Sequence, residues 1–167
     1  MRALFLASLA LLACAPAGPR PLRYGADACD FCRMQMTDPR FGGEVVSRTG
    51  KVRVFDSIEC LAAYTLQSGG SDAPRSVWVA DFRRPGTLVP VERASFLHAG
   101  AGPASPMGLG LVAVRDAGDA AALGSALDGE ALRWPEVLAL VEREQARLGL
   151  SGERTHAMGG GGDDAAR

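Results

Sequence analysis

The stretch Cys29-Asp30-Phe31-Cys32-Arg33-Met34-Gln35-Met36 places two thiols and two thioethers within eight residues. Sulfur donors of this kind suit a soft, low-charge ion such as Cu(I), whereas Zn(II) favours thiolate, imidazole and carboxylate. If the backbone runs extended past Cys32, alternate side chains share a face. Cys32, Met34 and Met36 then lie on one side, and Arg33, Gln35 and Thr37 on the other. Residues two apart in a strand are separated by about 6.5 Å, a gap that a thiolate and a flexible thioether can close around one ion. Cys29 has the opposite parity and joins them only through a turn, so the third ligand is Met36, Cys29 or a donor from elsewhere in the chain.

Other chemistries compete for the same residues. A zinc knuckle needs four N/S ligands, and no second Cys-x-x-Cys or spaced histidine pair is present. A thioredoxin-type dithiol opens a helix within a βαβ pattern, whereas this motif precedes a hairpin. A Cys29–Cys32 disulfide with both methionines in the core is the purely structural alternative. Further donors are Met107, in a Pro-Met-Gly turn, and His98, one of only two histidines; His156 and Met158 lie near the C-terminus. Cys60 reads as a buried helix cysteine, and Asp56, Glu59 and Asp81 as caps and surface charges. No nucleophile triad or phosphate loop accompanies them, so the chain does not read as an enzyme.

The elements that must position these groups follow from pattern. Gly43 to Arg48 and Val52 to Phe55 read as two strands joined by a turn at Thr49-Gly50-Lys51. Asp56-Ser57 starts a helix whose Ile58, Leu61, Ala62 and Leu66 recur at helical spacing and which ends near Gln67. A strand follows from Ser76 to Phe82, then a turn at 83–86 and a further strand opening at Leu88. Val91 to Leu97 fits either a strand or a short helix. His98 to Pro106 reads as a loop, Leu109 to Val114 as an apolar strand, and Ala117 to Leu127 as a helix. A short strand over Ala131 to Trp134 leads into a last helix with Pro135 in its first turn and Gly149 as its cap. Val52–Ser57 and Ala131–Glu136 echo each other faintly, which permits two related halves.

The ends of the chain are of a different kind. Ala3 to Ala13 is an apolar run behind Arg2, too short to span a bilayer, and Leu11-Leu12-Ala13-Cys14 resembles the bacterial lipobox. Residues 1–13 are therefore expected to be a lipoprotein signal, Cys14 the lipidated residue, and 14–26 a Pro- and Gly-rich tether. This puts the body, 27–150, in the periplasm or on the outer cell surface, anchored to a membrane by lipid, where disulfides persist. Three cysteines remain, an odd number. The body divides at about residue 75, and 151–167 is expected to be disordered. The net charge of −1 and the absence of a basic stripe exclude a nucleic-acid partner. No apolar run in the body is long enough for a transmembrane helix.

Taken together, Cys29-Asp30-Phe31-Cys32-Arg33-Met34, Phe55-Asp56-Ser57-Ile58-Glu59-Cys60, Trp78-Val79-Ala80-Asp81-Phe82 and Ser105-Pro106-Met107-Gly108 resemble, in order, the motifs of the NosL family of copper-binding lipoproteins. The resemblance implies an α+β fold of two small related ββα-type halves with antiparallel strands. It implies Cu(I) bound by Cys32 and Met34, with Cys29 at the first cysteine of the motif. It also implies a chaperone role in assembling the copper centres of nitrous oxide reductase. Arg33 stands where the family frequently has Gly.

Overall fold

The computed structural model describes residues 19–102 and 104–148. The expected signal, Cys14, the Gly149 cap and the tail with His156 and Met158 lie outside the described residues.

β1 (Gly43–Ser47) and β2 (Val52–Phe55) form the expected hairpin. Gly50 takes φ 84° at its turn, a value that glycine accepts without steric cost. α1 (Ile58–Gln67) starts on Ser57, whose hydroxyl accepts the Cys60 N–H at 3.2 Å. β3 (Pro74–Ala80) returns to pair with β1, and β4 (Leu88–Pro90) adds outside it, giving an antiparallel sheet of order β2-β1-β3-β4. The first sheet therefore extends to Pro90, beyond residue 75.

The ambiguous stretch after Pro90 is both things. One 3-10 turn, Val91–Arg93, leads into β5 (Ser95–Ala99), which takes His98 out of the expected loop and into a strand. β6 (Leu111–Val114), α2 (Ala117–Leu127), β7 (Gly129–Leu132) and α3 (Trp134–Arg147) complete the second half. Its sheet has the order β6-β5-β7.

Both halves thus share one connectivity: a hairpin, a helix, and a third strand that pairs antiparallel with the first strand of the hairpin. The fold is α+β, with two related halves. The echo between Val52–Ser57 and Ala131–Glu136 does not mark the equivalence, because it matches β2 and α1 with β7 and α3, whereas the topological partners are β6 and α2.

One core joins the halves. Val45, Phe55, Leu61, Val79, Phe96 and Val137 are fully buried in a single cluster that draws on both sheets, α1 and α3. The second sheet is apolar on both faces, as strand alternation allows. Phe96, Leu111 and Ala113 face this main core, while Leu97, Val112 and Val114 face Ala120 and Leu123 of α2. Burial of such side chains, at about 1.5–3 kcal/mol each, sets the register of β1 and β2 and the position of the first turn of α1.

Candidate metal centre

The Cys-x-x-Cys motif forms the tip of a small hairpin. Ala28 bridges Gln35; the Cys29 N–H donates to the Met34 carbonyl at 2.8 Å and the Met36 N–H to the Asp27 carbonyl at 3.0 Å. Arg33 closes the turn, its N–H donating to the Cys29 carbonyl at 3.0 Å, with φ at 68°. This left-handed residue overturns the extended backbone expected past Cys32. Met34 is 44% exposed at the hairpin tip, while Met36 is fully buried, its Cε packed at Gly42 beside Leu22. Cys32, Met34 and Met36 do not share a face.

Asp30 fastens the tip to β2. Its N–H donates to the Val54 carbonyl at 2.8 Å, its Oδ2 accepts the Val54 N–H at 2.9 Å, and Arg53 lies 3.6 Å from its Oδ1. The loop is thereby held over the point where β2 ends and α1 begins. There it meets Asp56 and Cys60, residues read from sequence as a cap and a plain core cysteine. Ser57 is the cap, and Asp56 and Cys60 turn inward. Cys29, Cys32, Asp56 and Cys60 each present a ligand atom, all within 4.8 Å of one another. The cluster offers three sulfurs and one carboxylate oxygen, one short of the four N/S ligands of a zinc knuckle.

Electrostatics in the cluster are uneven. The Cys29 thiol is drawn down to about 6 by a hydrogen bond from the Cys60 thiol, against the cost of burial, and with help from the N–H groups of Asp56, Cys32 and Phe31. The partnership with Cys29, followed by burial, pushes Cys60 up. Cys32 is pushed up to about 11, first by burial and then by the neighbouring Cys29 and Asp56; the Met34 N–H works in the other direction. The Cys32 thiol donates to Asp56 Oδ2 at 3.4 Å, and Asp56 Oδ1 is buried without a hydrogen-bond partner. Cys29 is thus the natural first thiolate, and a cation would answer the unpaired oxygen of Asp56.

The other sequence candidates are not members of this cluster, although Met107 shares a cleft with Cys60. Met107 is 44% exposed and lines a cleft of about 290 Å3 whose walls include Phe31, Glu59 and Cys60. His98 pairs with Leu111 and Glu130 across the second sheet and lines a different hollow, with Gly108 and Leu109. Glu59 and Asp81 are buried, not surface charges. Glu59 accepts hydrogen bonds from the Ser105 hydroxyl and, at 3.2 Å, the Leu109 N–H, tying the Met107 loop to α1. Asp81 accepts the Arg83 N–H at 3.0 Å and pairs with Arg84. The signal for Cys60 was present in the odd cysteine count; nothing in the spacing indicated Asp56.

This arrangement defines a small two-sheet α+β protein with a cysteine-rich pocket able to hold a metal ion. The NosL family model matches residues 24–140, and the chain belongs to the NosL family. Among solved structures, the crystal structure of the copper chaperone NosL from Shewanella denitrificans matches with a TM-score of 0.64 at 23% identity, covering 73% of this chain and 96% of that one. At that identity the likeness establishes the fold. No curated protein sequence matches the chain.

Proposed function

We propose that this protein is a membrane-anchored, extracytoplasmic carrier of Cu(I), which it holds through sulfur donors centred on Cys32 and passes on by ligand exchange. The observation that carries the reading is the convergence of the Cys29, Cys32 and Cys60 thiols within 4.8 Å, with the exposed Met34 two residues after Cys32 in the chain. Thiolate and thioether donors together select Cu(I) over harder ions. The first turn of α1, which carries Cys60, adds the positive end of a helix to the pocket and favours anionic sulfur.

Anchoring rests on the apolar leader and Cys14, and the extracytoplasmic location follows from it. Among the described residues no helix is long and apolar enough to cross a membrane, so the proposed attachment is the lipid on Cys14. The proposed client is nitrous oxide reductase or its assembly machinery, on the strength of family membership. The role is binding and transfer, with no chemical turnover.

The test is a Cu(I) titration of the reduced full chain against a competing chelator such as bicinchoninate. One tightly bound Cu(I) per chain, weakened at least about a hundredfold in Cys32→Ala, is the expected result. Equal binding by wild type and Cys32→Ala would overturn the reading, and reduction of protein disulfides by the copper-free chain would replace it with a thiol oxidoreductase.

A further inference from the structure

A carboxylate stands in the middle of the first sheet. Strand alternation puts Val45 in the main core and Glu44 on the opposite face of β1, between Val54 of β2 and Trp78 of β3. On that face Glu44 is fully buried, and both its oxygens accept the Arg20 N–H, at 3.2 and 3.1 Å. An apolar side chain at this position would hold the N-terminal stretch by burial alone. A carboxyl makes the hold depend on protonation.

The stretch from Arg20 to Asp27 is tied to itself. The Arg20 guanidinium donates to the Pro21 carbonyl at 2.9 Å and to Asp27 at 2.7 Å. The Arg23 N–H and guanidinium also hold Asp27, each at 2.9 Å, and the Asp27 N–H returns to the Arg23 carbonyl at 2.8 Å. These residues can therefore leave the body as one piece. Besides Arg20 and Glu44, they meet the body at three places. The Tyr24 hydroxyl donates to the Phe41 carbonyl at 3.2 Å, and Leu22 lies beside Met36 at Gly42. At the base of the sulfur hairpin, the Gly25 N–H donates to the Met36 carbonyl at 2.7 Å, the Gln35 amide to the Gly25 carbonyl at 2.6 Å, and the Met36 N–H to the Asp27 carbonyl at 3.0 Å.

We propose that residues 20–27 form a releasable strap over β1, latched by Glu44 and let go when its carboxyl loses its proton, and that release loosens the base of the sulfur hairpin.

The sign follows from burial. The charged groups that face Glu44 are Arg20, on the strap, and Asp27; its neighbours across the sheet, Val54 and Trp78, carry no charge. Under the strap the carboxyl is held protonated by burial, which the Arg20 N–H and charge oppose and Asp27 assists. Lifting the strap opens Glu44 to water, where it ionises at the ordinary carboxylate value. The docked state is therefore fully favoured below that value, loses ground as pH rises, and levels off above about 7. Tyr24 is pushed up to about 12 by burial and then by Asp38, so it stays neutral across this range. Despite burial, bonds from Arg20 and Arg23 keep Asp27 ionised. Glu44 is thus the latch. Because Asp30 still fastens the tip of the hairpin to Val54, release acts at its base, where Met36 loses the bonds to Gly25 and Asp27 and the cover of Leu22.

Residue-resolved hydrogen exchange on the full chain, corrected for intrinsic rates, tests this. Between about pH 5.5 and about pH 7.5, the Gly25 and Met36 amides of wild type should lose about tenfold in protection relative to the amides of the β1–β3 ladder. In Glu44→Gln, which keeps the shape of the protonated acid, the relative loss should be under about twofold. Leu22→Ala, which thins the apolar cover and leaves the latch, should lower Gly25 and Met36 protection below wild type by the same factor at both ends of the range. The proposal is overturned if strap and sheet lose protection together in wild type, if Glu44→Gln retains the wild-type loss, or if Leu22→Ala leaves Gly25 and Met36 as protected as before. None of these outcomes bears on Cu(I) binding, which the chelator titration decides separately.

Discussion

The thiol of Cys32 points at the carboxylate of Asp56, Sγ to Oδ2 3.4 Å, across 24 residues of chain. A carboxylate so placed disfavours the thiolate of Cys32, and its charge is among the causes that push that thiol up to about 11. Asp56→Asn removes the charge and keeps the shape. The Cys32 pKa should fall, and alkylation of Cys32 near neutral pH should speed up by about three- to tenfold. Mass spectrometry of timed iodoacetamide reactions reads the rate; an unchanged rate would show that Asp56 does not govern the thiol.

Asp30 holds the sulfur hairpin to β2 through paired hydrogen bonds with Val54. Asp30→Ala leaves the Val54 N–H without its side-chain acceptor and Arg53 without its nearer carboxylate. A loss of about 1–2 kcal/mol in urea unfolding is expected. Cu(I) affinity should fall as well, since the hairpin tip with Cys29 and Cys32 loses its attachment above Asp56 and Cys60.

Arg33 carries φ 68°, a region that costs a side-chain-bearing residue about 1–2 kcal/mol. Arg33→Gly removes this cost at the price of a more flexible unfolded chain, so a net gain of about 0.5–1 kcal/mol is expected. Arg33 is exposed, and equilibrium Cu(I) binding should not change. Thermal unfolding measures the first expectation and chelator competition the second.

Glu44 on β1 is buried, and burial pushes its carboxyl up to about 7; the Arg20 N–H partly opposes this by donating to both carboxylate oxygens, at 3.2 and 3.1 Å. Between the ordinary carboxylate value and 7 the folded protein retains a proton that the unfolded chain has released. Stability from this group therefore declines as pH rises through that window and levels off above it. Asp27 has the opposite sign in a lower window: despite burial, hydrogen bonds from Arg20 and Arg23 hold it down to about 2. Cys29, held down to about 6, contributes with the opposite sign above that pH, so the Glu44 share is read from the variant: the melting temperature of wild type relative to Glu44→Gln should fall between about pH 5 and about pH 7. A difference between the two chains that does not vary with pH would show that Glu44 titrates alike in the folded and unfolded states.

Much of the scaffold was legible because local rules and tertiary packing agree. The Val45 and Val54 strands, the turn at Gly50, the Ser57 start of α1 and the Ala117–Leu127 helix stand where alternation, turn chemistry and capping place them. Val91–Leu97 remained open in sequence because it holds one 3-10 turn and one strand, each too short to impose a period of its own.

For the site, the sequence by itself determined the stock of donors: soft sulfur at Cys29, Cys32 and Met34, and an odd cysteine at Cys60. Tertiary structure decided which of them meet. Strand parity grouped Cys32 with Met34 and Met36, but parity holds only along an extended backbone; a left-handed residue at Arg33 breaks it between Cys32 and Met34, and tertiary packing leaves Met34 exposed at the hairpin tip while Met36 enters the core. Cys60 and Asp56 reach Cys29 and Cys32 because Asp30 pairs with Val54 and Ser57 starts the helix where it does. Those contacts span two dozen residues or more, and no local spacing in the chain encodes them.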